Sequence, residues 1–368
     1  MSWLQEFYLK NKFGFTGSEI DYFKNLNGGT LTGIEKKYIS QQKFDSLRNR
    51  LDSSSWRAIV HNKWITANYL DPDIIDQPKV FGLLHATNGR TVEGGRLASA
   101  EDLKTLVKKK DLDKFVLKHI GGGMGNQVYI IDNVEQVDGQ MVYTTVDNQR
   151  LTDKEIDELL ETVVGNLRGI IVQERLQVHP ILSNITESGL SSIRIYTLSY
   201  NDERSKALAA FIRFGKKGKR TDHMHNGGVY APIELDTGVV QKGLCISGDD
   251  EWQSVHPDTQ KPFEGLKIPD WNHLLDLATN AADKCPDLKW VGWDLMLTPD
   301  GSRLIEGNIG DNDFKSAQLI FGGFIANGIF DEWMKELDLS EKERNCYNEL
   351  THWKRRYLKI MLRGLINI

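Results

Sequence analysis

The chain has 368 residues, of which 40% are hydrophobic and 26% charged, and 46 Lys and Arg against 51 Asp and Glu give a formal net charge of −5. This charge balance excludes a general nucleic-acid binder, which needs a basic surface to neutralise phosphates. The hydrophobic content excludes a disordered chain, and three widely spaced cysteines without a C-x-x-C pair exclude a disulfide scaffold and a zinc ribbon.

The sequence predicts neither an export signal nor a membrane span. Residues 1–6 lack the basic and apolar regions of a signal peptide, and the longest uncharged stretch, 316–330, is too short to cross a bilayer. We therefore expect a cytoplasmic protein with no transmembrane segment.

The first half of the chain changes character near Pro78. Residues 1–75 mix charged and apolar residues at helical spacing and predict a short helical region. Short β-like runs follow, interrupted by predicted helices at 99–110 and 151–166. The second of these opens with a Thr-x-x-Glu capping box at Thr152.

The second half is richer in β-like runs. Strands are predicted at 169–173, 193–198, 207–214, 228–233 and on both sides of a turn at 299–301. Helices are predicted at 271–284 and 340–368. The pattern indicates a mixed α+β protein with two sheets.

A glycine-rich loop follows Lys118, with glycines at positions 121, 122, 123 and 125 between two β-branched runs. Backbone N–H groups in such a loop can approach an anion closely, and the lysine adds positive charge. Because a strand follows the loop, the pattern differs from the Walker A and Rossmann motifs, which open a helix. Two interpretations stay open: a hairpin flap over nucleotide phosphates, and a glycine turn without a ligand.

A second motif gathers oxygen ligands on a predicted hairpin. Asp294 precedes the turn at 299–301, and Glu306 and Asn308 follow it two residues apart, so that they share one face of the strand. Hard oxygen donors of this kind suit Mg²⁺. The alternative is a polar edge hairpin with a solvated face.

Two arginines lie inside apolar strands. Arg194 and Arg213 each require an anion if they are buried, and either a phosphate or carboxylate ligand or a structural salt bridge meets that need. His223 and His225 lack a further His or Cys nearby, which disfavours zinc. The basic stretch at 352–363 is interpreted as a packed C-terminal helix, with weak contact to anionic lipid or to a protein partner as the alternative.

Taken in order, these motifs resemble the ATP-grasp superfamily, with the greatest similarity to its sugar-transfer-associated branch and to glutamate-ligase-like enzymes. The resemblance covers roughly residues 60 to 325. Its most specific pieces are 211–213 with 225–228, and 292–294 with 306–308. One departure is that Ser191 and Ser192 precede the Arg194 motif, where that branch often has Asn-Thr.

The resemblance implies an ATP-grasp fold, in which two α+β subdomains sandwich ATP after a short helical N-terminal region. The implied division is a helical region at 1–75, a lid subdomain with the glycine-rich flap at 76–173, and a catalytic subdomain with the metal site and C-terminal helices at 174–368.

The resemblance also implies site roles for individual residues. Lys63 and Lys118 would hold the α- and β-phosphates of ATP beneath the flap glycines Gly122, Gly123 and Gly125. The adenine would contact Gln173, Glu174 and Leu176, and the ribose would contact His179, Asn184 or Glu187. The transferred phosphoryl group would be stabilised by Arg213, Arg194 and Asn226. Mg²⁺, or Mn²⁺ in its place, would be coordinated by Asp294, Glu306 and Asn308.

The implied activity is an ADP-forming ligase that joins a small-molecule carboxylate to an amine through an acyl phosphate. An amino acid or amine joined to a sugar-related acid in cell-surface polysaccharide biosynthesis would fit that branch. A G-x-S-x-G motif and a reactive-cysteine signature are both lacking, in keeping with chemistry that needs positioning more than a protein nucleophile. Two alternatives remain: a small-molecule or sugar kinase using the same site, and a nucleotide-binding module without chemistry.

Overall fold

The computed structural model describes residues 2–121, 127–162, 169–186, 191–200, 204–217, 222, 227–245, 251–309 and 317–336. Within these ranges the chain combines helices with two antiparallel sheets, which confirms the predicted α+β class. None of the helices in the described part of the chain is long and apolar enough to cross a lipid bilayer.

The N-terminal region is helical, as predicted. Its helices are α1 (Ser2–Tyr8, continued by a π-helical turn at Leu9–Phe13), α2 (Gly17–Leu26), α3 (Gln41–Leu51), α4 (Arg57–His61) and α5 (Lys63–Tyr69). The side chain of Asn62 caps α5 by accepting from the backbone N–H groups of Trp64 and Ile65. This cap sets the start of the helix at Lys63.

The first sheet has the strand order β2-β1-β7-β3-β4-β5-β6. Its strands are β1 (Val80–Leu84), β2 (Arg90–Thr91), β3 (Phe115–His119), β4 (Val128–Val137), β5 (Gln140–Thr145), β6 (Arg150–Leu151) and β7 (Ile170–Glu174). Helices α6 (Ala100–Lys110) and α7 (Asp153–Thr162) cover one face, where Leu103 and Ile156 share a core with Val172. Strands β3 and β4 are antiparallel neighbours on either side of the glycine-rich loop.

The second sheet has the strand order β12-β11-β10-β9-β8-β13-β14. Its strands are β8 (Ser191–Leu198), β9 (Lys206–Phe214), β10 (Val229–Ile233), β11 (Gly243–Cys245), β12 (Glu251–Gln253), β13 (Trp290–Thr298) and β14 (Gly301–Asn308). This part of the chain also contains the helices α8 (Pro180–Ser183), α9 (Trp271–Asp283) and α10 (Ile329–Glu336).

Both faces of the second sheet are covered. Helix α9 packs on one face, where Leu274 and Trp293 belong to the same core. On the other face, α3 contributes Phe44, whose ring meets that of Trp290 edge to face at 6.3 Å between centroids. The polar residues described below lie on the face that α3 helps to cover, so the N-terminal helices form part of the site's surroundings.

One predicted helix begins later than its sequence pattern indicates. The helix predicted at 151–166 begins at Asp153, because Leu151 pairs with Tyr143 in the first sheet. The capping-box contact is present, since Thr152 N–H donates to the Glu155 carboxylate at 2.8 Å. The helices predicted at 340–368 lie outside the described residues.

Asp52 ties the N-terminal helices to the second sheet. It ends α3, and its Oδ1 accepts from the backbone N–H of Lys289, just before β13, at 2.9 Å. Burial raises the pKa of this carboxyl to about 6, against the opposing effects of the Lys289 N–H bond and of Arg57 and Arg48. In the folded protein Asp52 therefore holds its proton at a pH where the unfolded chain has released it.

This raised pKa predicts a specific pH dependence of stability. Between about pH 4 and 6 the folded chain binds more protons at Asp52 than the unfolded chain does. The free energy of unfolding is therefore expected to fall by roughly 3 kcal/mol as pH rises through this range. Thermal unfolding midpoints measured from pH 4 to pH 7 are expected to fall on the order of 6 °C more for wild type than for Asp52→Asn. Asp113→Asn, at an exposed carboxylate, serves as the control; equal slopes for wild type and Asp52→Asn would refute the prediction.

Candidate active site

The hairpin of β13 and β14 brings three oxygen-bearing side chains together. Asp294 lies directly opposite Glu306 in the strand pair, and Gly292 lies opposite Asn308. Residues that are directly opposite, or two apart on one strand, share a face of the sheet. Asp294, Glu306 and Asn308 therefore project from one face. The set comprises two carboxylates and one amide, and no cluster of three or more His, Cys, Asp and Glu side chains suited to a metal occurs in the described part of the chain.

Asp294 is the centre of a buried ionic cluster. Its Oδ1 accepts from Arg194 Nε at 2.5 Å and from Arg213 Nη2 at 2.6 Å. Its Oδ2 accepts from Arg194 Nη2 at 2.9 Å and from Asn308 Nδ2 at 3.2 Å. The two arginines and the aspartate are 3%, 5% and 6% exposed. Both strand arginines thus form buried salt bridges with Asp294, which is one of the two interpretations left open by the sequence.

Strand order explains why these residues meet. Arg194 is directly opposite Asp294 because β8 pairs with β13, and Arg213 is directly opposite Ser192 because β9 pairs with β8. Gly292 leaves room for this arrangement: a Cβ at that position would lie 2.9 Å from the Tyr196 ring and 3.0 Å from the Arg194 side chain. A side chain at position 292 would therefore press on both Tyr196 and Arg194.

The ion pairs dominate the electrostatics of the cluster. Burial alone would raise the pKa of Asp294, but Arg194 and Arg213 hold it well below its usual range. Burial would likewise lower the pKa of Arg213, but the carboxylates of Asp222 and Asp294 raise it above its ordinary value. The carboxylate and both guanidiniums are charged at neutral pH.

Two lysines approach the same face from other parts of the chain. Lys63 Nζ lies 3.3 Å from Glu306 Oε2, and the Lys63 backbone N–H donates to the Ile120 carbonyl at 2.8 Å, which joins α5 to the end of β3. Burial lowers the pKa of Lys118 on β3, although the nearby carboxylates of Glu306 and Asp294 oppose that shift. Helix α5, the first sheet and the second sheet therefore each contribute charged groups to one site.

Two further members of the cluster, Ser192 and Asp222, have no predicted role from the sequence. Ser192 Oγ accepts from Arg213 Nε at 2.8 Å, and its hydroxyl contacts a carboxylate oxygen of Asp222. That oxygen also lies 3.6 Å from Arg213 Nε. Alternation along β8 puts Ser192 on the same face as Arg194, but its position opposite Arg213 follows only from the strand register.

The residues predicted to contact the adenosine part of a nucleotide lie at and after the end of β7. Gln173 is buried, Glu174 is exposed and Leu176 is half-buried. The Glu174 carboxylate accepts from the Lys79 backbone N–H at 3.0 Å, between β7 and the start of β1. His179 caps α8, with its Nδ1 accepting from the Ile181 N–H at 3.1 Å.

Some predicted site residues lie outside the described residues. These are Gly122, Gly123, Gly125, Glu187 and Asn226, together with His223 and His225. Their predicted roles stay predictions.

Solved structures similar to this chain include several ligases. They include the ATP-grasp ligase PsnB complexed with minimal precursor, Mg and ADP (13% identity, TM-score 0.41, covering 78% of this chain and 62% of PsnB). Others are the D-alanine-D-alanine ligase from Coxiella burnetii (11%, 0.38, 83% and 69%) and the L-amino acid ligase from Bacillus licheniformis (13%, 0.36, 70% and 43%). The chain spans less than two thirds of the PsnB chain, and these distant likenesses carry no assignment of substrate.

A match to a protein family identifies the chain. No curated protein matches the chain. The model of the family described as sugar-transfer associated ATP-grasp matches residues 42–326, well over half of the chain. That match confirms the resemblance predicted from the sequence: the chain belongs to the sugar-transfer associated ATP-grasp family and has the ATP-grasp fold.

Proposed function

We propose that the protein is an ATP- and Mg²⁺-dependent ligase that joins a small-molecule carboxylate to an amine through an acyl phosphate. The observation that carries the proposal is the convergence of Lys63, Lys118 and Arg213 with Asp294 and Glu306 on one face of the second sheet. Phosphoryl transfer requires such an arrangement, because cations must offset charge on the phosphates while carboxylates hold the metal.

The oxygen donors fit Mg²⁺, or Mn²⁺ in its place. Asp294 and Glu306 carry like charges at directly opposite positions, which is unfavourable without cations between or around them. Arg194, Arg213 and Lys63 now supply that compensation. In the nucleotide complex, the lysines and Arg213 would bind phosphate oxygens in place of the carboxylates, which would leave Asp294 and Glu306 to hold the metal. When bound, the metal would neutralise phosphate charge, with Asp294, Glu306 and the Asn308 amide as its protein ligands.

The chain's own residues then act by position and charge. Lys63 and Lys118 bind the α- and β-phosphates, and Gln173, Glu174 and Leu176 frame the adenine, with the ribose held by His179, Asn184 or Glu187. The glycines of the loop after Lys118 cover the phosphates and exclude water from the acyl phosphate.

The reaction proceeds in two displacements. A carboxylate oxygen of the substrate attacks the γ-phosphorus of ATP, and the bond to the β,γ-bridging oxygen breaks to release ADP. Arg213, with Arg194 and Asn226 beside it, stabilises the charge on the transferred phosphoryl group. The amine nitrogen then attacks the acyl carbon, phosphate leaves, and the nitrogen loses a proton to give the amide.

We propose a substrate class from the family's association with sugar transfer. An amino acid or another amine joined to a sugar-related acid, in the synthesis of cell-surface polysaccharide, fits a carboxylate–amine ligase of this family. The test is ADP release from MgATP over pairs of sugar acids and amines. Release that needs the acid, and hydroxamate formation when hydroxylamine replaces the amine, supports the ligase. A phosphorylated hydroxyl product stable to hydroxylamine supports a kinase, and no turnover with any pair supports a binding module.

Lys118 provides a binding test that needs no acceptor substrate. Lys118→Ala is expected to weaken MgADP binding by roughly 10- to 100-fold, because it removes a charge-assisted contact to phosphate. Isothermal titration calorimetry measures the effect. Lys114→Ala is the matched control, because Lys114 is an exposed lysine just before the same strand. Its Nζ lies 3.9 Å from Asp132 Oδ1. Equal MgADP affinities for Lys118→Ala and wild type would rule out the assigned role.

A further inference from the structure

The Arg213 guanidinium is held at two ends by different groups. At one end, Nη2 donates to Asp294 at 2.6 Å. At the other end, Nε donates to Ser192 Oγ at 2.8 Å, and the Ser192 hydroxyl donates in turn to Asp222. Because a guanidinium is planar, fixing Nε and one terminal nitrogen fixes both its plane and its rotation.

The two anchors differ in what they can do during the reaction. The proposed function makes Asp294 a metal ligand as well as a partner of Arg213, so that contact is subject to exchange when metal and nucleotide bind. Ser192 and Asp222 are not among the proposed metal ligands. A guanidinium anchored through Nε alone keeps both terminal nitrogens available for two parallel bonds to a phosphoryl group.

The Ser192 hydroxyl connects Arg213 to Asp222. It accepts a hydrogen bond from Arg213 and donates its single proton to Asp222. The negative charge of Asp222 polarises the hydroxyl and strengthens its bond to the guanidinium. The 3.6 Å separation between Asp222 and Arg213 Nε adds a direct attraction.

Backbone geometry brings Asp222 to this position. A Cβ at Gly228 would lie 2.5 Å from the Asp222 carbonyl oxygen and 3.1 Å from the Phe214 carbonyl oxygen. Only glycine permits this approach, just before β10 begins beside the strand that carries Arg213. Gly228 therefore lets the backbone carry Asp222 to this position.

We propose that Asp222, acting through the Ser192 hydroxyl, is a positioning residue that orients Arg213 toward the phosphoryl group transferred from ATP. This inference rests on the proposed function and adds two residues to it. A purely structural counter-charge would support the fold without distinguishing one nucleotide from another.

The test compares two nucleotides on the full-length chain. Ser192→Ala and Asp222→Asn are expected to bind MgADP within about twofold of wild type but to lose about tenfold in affinity for magnesium adenylyl imidodiphosphate, which retains a γ-phosphoryl group. Ser192→Thr keeps the hydroxyl and is expected to restore that affinity. Equal weakening of both nucleotides, or no weakening of either, overturns the proposal.

A second readout needs no nucleotide. In protein labelled with ¹⁵N-arginine, the Arg213 Nε–H signal, assigned with Arg213→Lys, is expected to exchange with water several-fold faster in Ser192→Ala and Asp222→Asn than in wild type or Ser192→Thr. If the exchange rate in Ser192→Ala and Asp222→Asn equals that of wild type, and wild type binds both nucleotides, the role of Ser192 and Asp222 in holding Arg213 is overturned and the proposed function is not. A wild-type protein that binds neither nucleotide overturns the proposed function, and the phosphoryl target of Arg213 with it, even if the exchange result holds.

Discussion

Replacing Asp294 with alanine is expected to lower the thermal unfolding midpoint by roughly 6 °C or more and to abolish carboxylate-dependent ADP release. The stability loss follows because Arg194 and Arg213 are both buried and both bonded to this carboxylate. Removing one partner of a buried ion pair costs about 3–5 kcal/mol, since an uncompensated charge stays behind. The activity loss follows from the proposed role of Asp294 in holding the metal.

Two further variants separate these effects. Asp300→Ala removes an exposed acid from the turn of the same hairpin and is expected to leave both measurements unchanged. Adding Arg194→Met to Asp294→Ala is expected to recover part of the lost stability but no activity, because it removes one of the stranded charges. Wild-type stability in Asp294→Ala would contradict the account of the buried cluster.

Replacing Arg213 with alanine is expected to reduce carboxylate-dependent ADP release by roughly 10³-fold while MgADP affinity stays within about threefold of wild type. The reason is that Arg213 is proposed to meet charge on the transferred phosphoryl group, which ADP lacks. Losing one such preorganised donor costs about 10²–10³ in rate. Steady-state kinetics and calorimetry with MgADP measure the two quantities.

Controls for this prediction come from the same strand region. Arg204→Ala, at an exposed arginine just before β9 that pairs with Asp283, is expected to behave as wild type. Arg213→Lys keeps the charge but not the planar fork and is expected to be intermediate. Turnover by Arg213→Ala within threefold of wild type would remove Arg213 from the proposed machinery.

Local patterns in the sequence were enough to predict the hairpin and its face. The Pro299-Asp300-Gly301 turn between apolar runs indicates β13 and β14, and the two-residue spacing of Glu306 and Asn308 indicates a shared face. The helical N-terminal region and the α+β class follow from hydrophobic periodicity in the same way.

The partners of Asp294 were beyond such patterns. Its contact with Arg194 joins residues 100 positions apart, and it exists because β8 lies next to β13 in the sheet. Local propensity says nothing about that strand order. Asp222 is a similar case, since its contact with Ser192 depends on the register of β8 with β9 and on the close approach at Gly228.

If ATP activates the carboxylate, an oxygen atom of that carboxylate must end up in the released phosphate, and an isotope label reveals this transfer. With a carboxylate substrate labelled with ¹⁸O, an acyl phosphate intermediate leaves one labelled oxygen on the released phosphate, because the amine displaces phosphate from the acyl carbon. One ¹⁸O is expected in each phosphate formed with the amide. Released phosphate without label, or a phosphoryl group retained on a hydroxyl of the product, would contradict it.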